Sequence, residues 1–311
     1  MDALIPSLLP IFLIMVLGGV LKRYLLPGEE AWVGMERIGY FLLYPILLAR
    51  TLYRTDFEAI SAASAALAFI AAIAGLLALM IAVRPLLQPR LGLSSPSYSS
   101  FYQATTRWNA FVILAIAEQI GGPQWLAIVA IGIGTMIVPI NVVNIVVMTH
   151  LCRKEGPSPS FFAQLIRNPL IIGVVAGLAI NGLGLAMPAA LDTTLELLAR
   201  IALPLGLLLV GAGLRIRMPG KDVVAVFAAS FVKLLVMPLF LGVAAWATGM
   251  RGADLSAVAL CGAGPSAMNA YLLAKQMGGD APLFAAMVTA QTVLSFVTIP
   301  LVMALAQCMA G

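Results

Sequence analysis

The residues of this sequence that could do chemistry lie in two short polar stretches, each inside an apolar segment. The first stretch contains Arg107 and Asn109, and the second runs from Pro265 and Ser266 to Asn269. A guanidinium can bind a carboxylate through two parallel hydrogen bonds, and each amide side chain offers two donors and an acceptor oxygen. These residue types are suited to binding an organic anion.

The second polar stretch, residues 261–271, is also where a helix should be interrupted. It contains two glycines, which tolerate unusual dihedrals, and Pro265, which supplies no N–H, so several backbone groups lose their intrahelical partners. In hydrocarbon such groups cost several kcal/mol each, and a broken helix persists only where protein buries it or where it lines a wet cavity. The alternative is a proline kink that neighbouring helices repair.

Arg107 needs an explanation, because an arginine at the bilayer centre costs about 2.5–3.5 kcal/mol unless it faces water or a partner. It could anchor a substrate carboxylate. It could instead cap the carbonyls of a broken helix or pair with a carboxylate such as Glu118. Asn109 and Asn269 also have two roles open to them, which are substrate binding and satisfaction of the interrupted backbone.

Two further features place charge inside apolar segments. Lys233 is far from any loop, and its long stem could carry the ammonium to the membrane boundary. Glu196 and Arg200 are four residues apart, which predicts an ion pair near the outer end of their helix.

The composition places all these residues in a membrane protein. Of 311 residues, 62% are hydrophobic and 10% are charged, whereas about 25% charged is usual in soluble domains. The continuous apolar runs of about twenty residues match spanning helices, not the short alternating strands of a barrel. The sequence therefore predicts an all-α integral membrane fold.

Ten spans follow from the apolar runs, and we number them in chain order. They lie at residues 3–24, 34–53, 60–84, 97–120, 124–149, 165–185, 192–214, 222–248, 254–277 and 281–308. The two polar stretches fall in spans 4 and 9. One set of alternate loops carries Lys22, Arg23, Arg84, Arg90, Arg153, Lys154, Arg167, Arg215, Arg217, Lys221 and Lys275, and the other carries Arg50, Arg54 and Arg251. The positive-inside rule then predicts a multi-pass protein of the plasma (inner) membrane with both termini on the non-cytoplasmic side.

The two halves of the chain resemble each other at an offset of about 160 residues. Matching pairs are Pro10 and Pro169, Gly18 and Gly177, and Pro45 and Pro204, each 159 apart, and Asn109 and Asn269, 160 apart. Five helices per half is an odd number, so the second copy must be inverted. We predict a first repeat at 1–149, a cytoplasmic linker at 150–164 and a second repeat at 165–311. Inverted repeats that meet at discontinuous helices are typical of secondary transporters.

The sequence also disfavours several classes of function. It has no phosphate-binding loop ending in Lys-Ser/Thr and no nucleophile–base pair at membrane depth, so we expect neither an ATP-driven pump nor an enzyme. Three scattered cysteines and one histidine do not have the spacing of metal ligands, so we expect no metal or cofactor site. The sequence also lacks a basic run with interleaved aromatics, so we expect no nucleic-acid binding. The deep charges are positive, which disfavours a cationic substrate. A sodium site remains open, built from Asn141, Asn144, Gln291, Thr292 and Ser295.

Motifs along the whole chain resemble the auxin efflux carrier family. They are Leu9-Pro10 with Gly18-Gly19, Tyr44-Pro45, residues 167–170, residues 202–205 with 211–214, and residues 264–269 with Ser295 and Pro300. The chain is similar to a short bacterial member, without the long central loop of some plant PIN-type carriers. It lacks the proline of plant members at the crossing in span 4 and has Arg107 there, which favours a smaller or more highly charged carboxylate than auxin.

The resemblance implies a fold similar to the bile-acid/sodium symporters, in which ten helices form two inverted five-helix repeats. Helices 1, 2, 6 and 7 would form a scaffold domain, helices 3–5 and 8–10 a transport domain, and the broken helices 4 and 9 would cross. It further implies that Asn109 and Asn269 bind the carboxylate of a small organic anion, such as malonate or malate in bacterial relatives. A homodimer formed through the scaffold is a further expectation.

We therefore expect efflux of an organic anion through the lipid bilayer by an elevator-like movement. One alternative is a sodium- or proton-coupled symporter of malonate-, malate- or bile-acid-type anions. Another is a membrane sensor that transports nothing.

Overall fold

The computed structural model describes residues 4–152, 167–214, 222–268 and 270–310, so most of the predicted linker, and Asn269, lie outside the described residues. The described chain is helical, which confirms the all-α fold class. The helices are α1 (Leu4–Tyr24), α2 (Glu29–Ile38), α3 (Tyr44–Tyr53), α4 (Ala62–Ala82), α5 (Arg84–Arg90), α6 (Ser95–Thr106), α7 (Ala110–Cys152), α8 (Pro169–Gly182), α9 (Ala189–Gly213), α10 (Val223–Phe231), α11 (Met237–Ala247), α12 (Gly252–Ala263), α13 (Ala270–Met277) and α14 (Ala281–Ala310). The backbone of α7 is not helical at Gly122, where a kink divides it into two helical parts.

Two π-helical turns join consecutive helices without a loop. Gly39–Leu43 joins α2 to α3, and Val232–Val236 joins α10 to α11. Each turn ends two residues before a proline, Pro45 or Pro238. Because proline supplies no N–H to the preceding turn, a wider turn at this point is a local adjustment to the missing hydrogen bond.

Five stretches of the described chain are long and apolar enough to cross a membrane. They are Ala62–Ala82, Ser95–Cys152, Ala189–Gly213, Val223–Ala247 and Ala281–Cys308. The second of these contains both α6 and α7. Large apolar side chains such as Leu13, Val16 and Phe41 are more than half exposed, as expected where a helix surface meets lipid. These features are those of a multi-pass membrane protein.

Two helix pairs approach each other so closely that only glycine fits. A Cβ atom on Gly18 of α1 would lie 2.1 Å from the carbonyl oxygen of Leu208 in α9, and one on Gly177 of α8 would lie 2.5 Å from that of Ala49 in α3. Positions 18 and 177, and likewise 49 and 208, are 159 residues apart. These two close approaches are thus related by the offset of the sequence repeat, and both use the small-residue packing common in membranes.

A third close approach gives a stability prediction. A Cβ atom on Gly211 of α9 would lie 1.7 Å from the carbonyl oxygen of Met15 in α1. We expect Gly211→Ala to force the two helices apart and lower the free energy of unfolding by about 1–3 kcal/mol, seen as a lower melting temperature in detergent. The control is Gly34→Ala, because nothing lies within 4 Å of a Cβ there. An equal loss in both variants would contradict this account.

Polar contacts divide the described helices into two groups. In the first group they join α3, α8 and α9. The Arg50 guanidinium donates to Asp192 at 3.2 Å and to Glu196 at 2.8 Å. The Asn181 amide of α8 donates to the carbonyl oxygen of Tyr53 at 2.9 Å. Glu196 also pairs with Arg200, which confirms the predicted ion pair. With α1, which packs on α9, and α2, which continues into α3, these helices form what we call group A.

In the second group, polar contacts join helices of two chain segments, one between α3 and α8 and one after α9. The Ser97 hydroxyl of α6 donates to Asp280 just before α14, at 2.9 Å. Asp254 of α12 accepts from the Ser61 N–H at 2.7 Å and from the Gln124 amide of α7 at 2.9 Å. We call α4–α7 and α10–α14 group B.

The contacts between group A and group B include two aromatic pairs. The Tyr44 ring of α3 stacks on the Phe111 ring of α7, with centroids 3.8 Å apart. The Phe12 ring of α1 meets the Phe296 ring of α14 edge to face, with centroids 4.7 Å apart. Such contacts lack the fixed donor–acceptor geometry of the hydrogen bonds within each group.

Candidate functional site

Both polar stretches interrupt a helix, as predicted. α6 ends at Thr106 and α7 begins at Ala110, whereas α12 ends at Ala263 and α13 begins at Ala270. The backbone turns extended at Arg107 and at Gly264. The first stretch has no proline, so its interruption could be predicted only from the matching second half.

The two interruptions lie against each other. The Asn109 N–H donates to the carbonyl oxygen of Pro265 at 2.7 Å. The Ser266 hydroxyl lies 2.6 Å from the carbonyl oxygen of Ala104 and 3.1 Å from that of Arg107. These bonds satisfy backbone groups that the breaks set free. Pro265 and Ser266, predicted to bind substrate, here hold the two interrupted segments together.

Gln291 of α14 reinforces this junction from a third helix. Its amide nitrogen donates to the carbonyl oxygen of Ala104 at 2.9 Å, and its amide oxygen accepts from the Ser266 N–H at 3.0 Å. Gln291 is fully buried. Both polar atoms of this predicted sodium ligand therefore bind the interrupted backbone.

The other residues of the predicted sodium site also bind protein groups. The Asn144 amide donates to the carbonyl oxygen of Ile140 and to the Thr106 hydroxyl. Thr292 and Ser295 donate to carbonyl oxygens of α14 itself. Across the described residues, no cluster of three or more His, Cys, Asp or Glu side chains could hold a metal ion.

Asn109 caps the helix that follows it. Its side-chain oxygen accepts from the N–H groups of Phe111 at 3.1 Å and Val112 at 3.4 Å, the bonds of an N-cap residue. Satisfaction of the interrupted backbone is thus observed, and the amide nitrogen is not needed for it. Asn269, the matching residue, lies outside the described positions, and its role stays a prediction.

A small cavity of about 90 Å³ opens beside the first interruption. Its polar lining is Arg107, Asn109 and Asn141, and its aromatic lining is Tyr40, Trp108 and Phe111, with Ala110, Ile137, Ile140, Leu170 and Ala267 completing it. The lining comes from both helix groups. The cavity therefore lies where the interrupted helices of group B meet group A.

Arg107 lines this cavity without an acidic partner. Its Nε donates to the Gln103 amide oxygen at 3.1 Å and its Nη1 to the Asn141 amide oxygen at 2.8 Å. No carboxylate among the described residues lies within ion-pairing distance of it. Glu118 lines a different cavity, so the alternative of an Arg107–Glu118 pair is wrong. Two neutral oxygens orient the guanidinium, and no described carboxylate neutralises it.

Trp108 is a site residue that the sequence analysis missed. Its indole N–H is buried and has no acceptor in the described part of the chain, although the residue lines the small cavity. A buried donor without a partner costs about 1–3 kcal/mol. Its position directly beside Arg107 is the only signal the sequence offered.

A larger cavity, of about 830 Å³, lies further along α3. Arg50, Arg54, Glu118, Glu196 and Arg200 are among the charged residues that line it. Along α2 and α3, Tyr40 lines the small cavity and Leu47 the large one, with Tyr44 between them. Tyr44, which stacks on the Phe111 ring of the small cavity, thus lies between the two lining residues along the chain.

Lys233 lies inside the protein, so the prediction that its ammonium reaches the membrane boundary is wrong. The side chain is fully buried, and Nζ donates to the carbonyl oxygen of Gly262 at 2.8 Å. The reason is packing, since a Cβ atom on Gly262 would lie only 2.5 Å from the Cα atom of Pro238. α11 thus lies directly on the last turn of α12 and places the lysine next to it.

Comparison with known proteins agrees with this architecture. A family model described as membrane transport protein matches residues 3–303. An uncharacterized transporter of Methanothermobacter thermautotrophicus is 27% identical over 297 residues, which cover 95% of this chain and 96% of that protein. The matches extend over both interruptions and both cavities. The chain belongs to the membrane transport protein family, and it is a transporter and not an enzyme.

Proposed function

We propose that this protein is a secondary transporter of small organic anions that carry carboxylates, and that it exports them across the plasma membrane. The observation that carries the proposal is the guanidinium of Arg107, which lines a cavity at the helix interruptions and has no acidic partner among the described residues. A deep positive charge of this kind is typical of a ligand site. A guanidinium can bind a carboxylate through two parallel charge-assisted hydrogen bonds.

The helix ends at the interruptions favour the same ligand. α7 begins at Ala110 and α13 at Ala270, so two helix N-termini lie at the interrupted segments. A helix N-terminus carries about half a positive charge, which remains at α7 although the Asn109 oxygen accepts from two of its N–H groups. The amide nitrogen of Asn109 adds donors at the cavity. Donors and positive potential together suit an anion and disfavour a cation.

The size of the cavity supports a small acid. The aromatic rings of Tyr40, Trp108 and Phe111 can contact a short carbon chain, while Arg107 binds one carboxylate. Malonate and malate, which the family resemblance suggests, have this chemistry. Export of such an anion needs no coupling ion, because each negative charge leaving a cell gains about 2.3 kcal/mol per 100 mV of membrane potential.

The two helix groups support an elevator-like mechanism. Group A would be the scaffold and group B the transport domain, which together make ten membrane helices in two inverted repeats, 1–149 and 165–311. The related glycine contacts at Gly18 and Gly177 support the repeat. Polar bonds hold each group together, while aromatic stacking between Tyr44 and Phe111 lets one group slide past the other.

The test is flux of labelled acids from proteoliposomes at set membrane potentials. We expect malonate or malate efflux that is faster when the lumen is negative, with current of the sign of the anion. Thermal unfolding in detergent with mono-, di- and tricarboxylates ranks the ligands, since a ligand at a hundred times its Kd stabilises by about 2.7 kcal/mol. Stabilisation without flux or exchange would instead indicate a sensor.

Asn109 gives a prediction that separates binding from folding. Asn109→Asp keeps a good N-cap but removes the amide donors and adds negative charge, whereas Asn109→Ala removes the cap as well. We expect malonate affinity to fall about tenfold to a hundredfold in both, since hydrogen bonds to charged groups contribute about 1.5–3 kcal/mol. Melting temperature without ligand should fall in the Ala variant alone. Unchanged affinity in a folded Asp variant would place the carboxylate elsewhere.

A further inference from the structure

Lys233 is a fully buried cation that the binding site described above does not use. It lies in the π-helical turn Val232–Val236, and its Nζ donates to the carbonyl oxygen of Gly262 at 2.8 Å and to the sulfur of Met237 at 3.0 Å. None of the described carboxylates lies within ion-pairing distance of it. Burial of an ammonium without an acid is costly, so another source of negative potential must offset it.

The end of α12 supplies that negative potential. α12 ends at Ala263, where the ninth span is interrupted, and Gly262 is in its last turn. The last four carbonyls of a helix have no intrahelical partner, and together they carry about half a negative charge. The ammonium of Lys233 therefore binds one of the free carbonyls at the negative end of a half-helix.

At the matching C-terminal end of α6, the free carbonyl groups have different hydrogen-bond partners. Its carbonyl at Ala104 accepts from the Ser266 hydroxyl and the Gln291 amide, which are both neutral. In carriers with interrupted helices, half-helix C-termini and free carbonyls are where a coupling sodium ion or proton binds. At α12 this position holds a covalently attached charge.

We propose that Lys233 is a tethered cation that replaces a coupling ion at the broken ninth span, so that the carrier works without sodium. The packing supports this assignment, because α11 lies so close to Gly262 that a Cβ there would meet the Cα atom of Pro238 at 2.5 Å, which holds Lys233 next to the free carbonyl. The inference deepens the proposed function and depends on it only where flux is measured. It makes the cation at the broken ninth span a part of the protein itself.

The first experiment needs no substrate. Thermal unfolding of Lys233→Ala is measured in chloride salts of choline, sodium and propylammonium, the last of which reproduces the missing stem and charge. We expect a lower melting temperature than for the wild type, and a selective rise of several degrees with propylammonium. Wild type and Lys275→Ala, which removes an exposed lysine of α13, should show no such rise. A folded Lys233→Ala protein indifferent to all three cations would overturn the proposal.

A second pair of measurements decides the matter if the alanine variant does not fold. Lys233→Met fills the same space without charge, and its affinity for malonate should fall at least tenfold. Malonate flux in the wild type should be unchanged when sodium is replaced by choline. Sodium-dependent flux, or full affinity in Lys233→Met, contradicts a tethered cation. Absence of any flux together with propylammonium rescue would instead contradict the proposed function and leave the cation assignment standing.

Discussion

Arg107→Ala is expected to lower the affinity for a dicarboxylate by at least about a hundredfold and to stop its transport. A guanidinium and a carboxylate share two charge-assisted hydrogen bonds, and each contributes at least about 1.5 kcal/mol, so their loss costs about 3 kcal/mol or more. Arg107 makes no ion pair with any described carboxylate. Its replacement therefore does not break an ion pair within the protein, and the change in affinity reports ligand binding. Ligand-dependent thermal shift and proteoliposome flux both report the change.

Lysine at position 107 distinguishes the role of the two parallel N–H groups of the guanidinium from the role of its charge. The amide oxygens of Gln103 and Asn141 orient the guanidinium at Nε and Nη1. A lysine ammonium is a point charge on a flexible stem and cannot present two parallel N–H groups. We therefore expect Arg107→Lys to fail almost as badly as Arg107→Ala. Restoration of transport by lysine would show that only positive potential is needed.

The control for Arg107 is the removal of an arginine of the larger cavity. Arg200 has a side chain that is 72% exposed and pairs with Glu196, so Arg200→Ala removes the same charge far from the interruptions. It should retain ligand binding. If a stable Arg107→Ala protein were stabilised by the same acids to the same extent as the wild type, Arg107 would have no part in the site.

Hydropathy was sufficient to predict the five long apolar stretches, because it dominates in a bilayer. Predicted span 7, residues 192–214, is close to α9 at Ala189–Gly213, since only apolar runs of the required length can cross hydrocarbon. The interruption before Ala110 was also predictable, although no proline marks it, because the matching segment contains Pro265. Inversion of the repeats and the division into scaffold and transport domains remain predictions.

The hydrogen-bond and packing partners between helices could not be predicted from the sequence, because they depend on which face each helix presents to its neighbours. Ser266 and Ala104 are 162 residues apart, yet the hydroxyl of one binds the carbonyl of the other. The kink of α7 at Gly122 separates Glu118 from Asn141, so helical periodicity alone does not show that Glu118 faces the large cavity and Asn141 the small one. The buried position of Lys233 likewise depends on the close packing of α11 on Gly262.

Cross-linking group A to group B should stop transport completely if the groups slide past each other. Phe12 of α1 and Phe296 of α14 form a contact between the groups that takes no part in either cavity. In a background where Cys152, Cys261 and Cys308 are replaced, we combine Phe12→Cys with Phe296→Cys and join the thiols with a short, reducible bifunctional reagent. Flux should disappear on cross-linking and return on reduction.

The matched control is a cross-link of the same kind within group B. The Ser97 hydroxyl and the Asp280 carboxylate are 2.9 Å apart, so Ser97→Cys with Asp280→Cys places two thiols close together between α6 and α14. Because both helices would move as one body, this bond should leave flux largely intact. Ligand-dependent thermal shift should persist in both cross-linked proteins, since neither bond touches Arg107 or Asn109. Full flux through a completely cross-linked Phe12→Cys/Phe296→Cys protein would mean that the two groups do not move apart during transport, and the elevator-like mechanism would have to be abandoned.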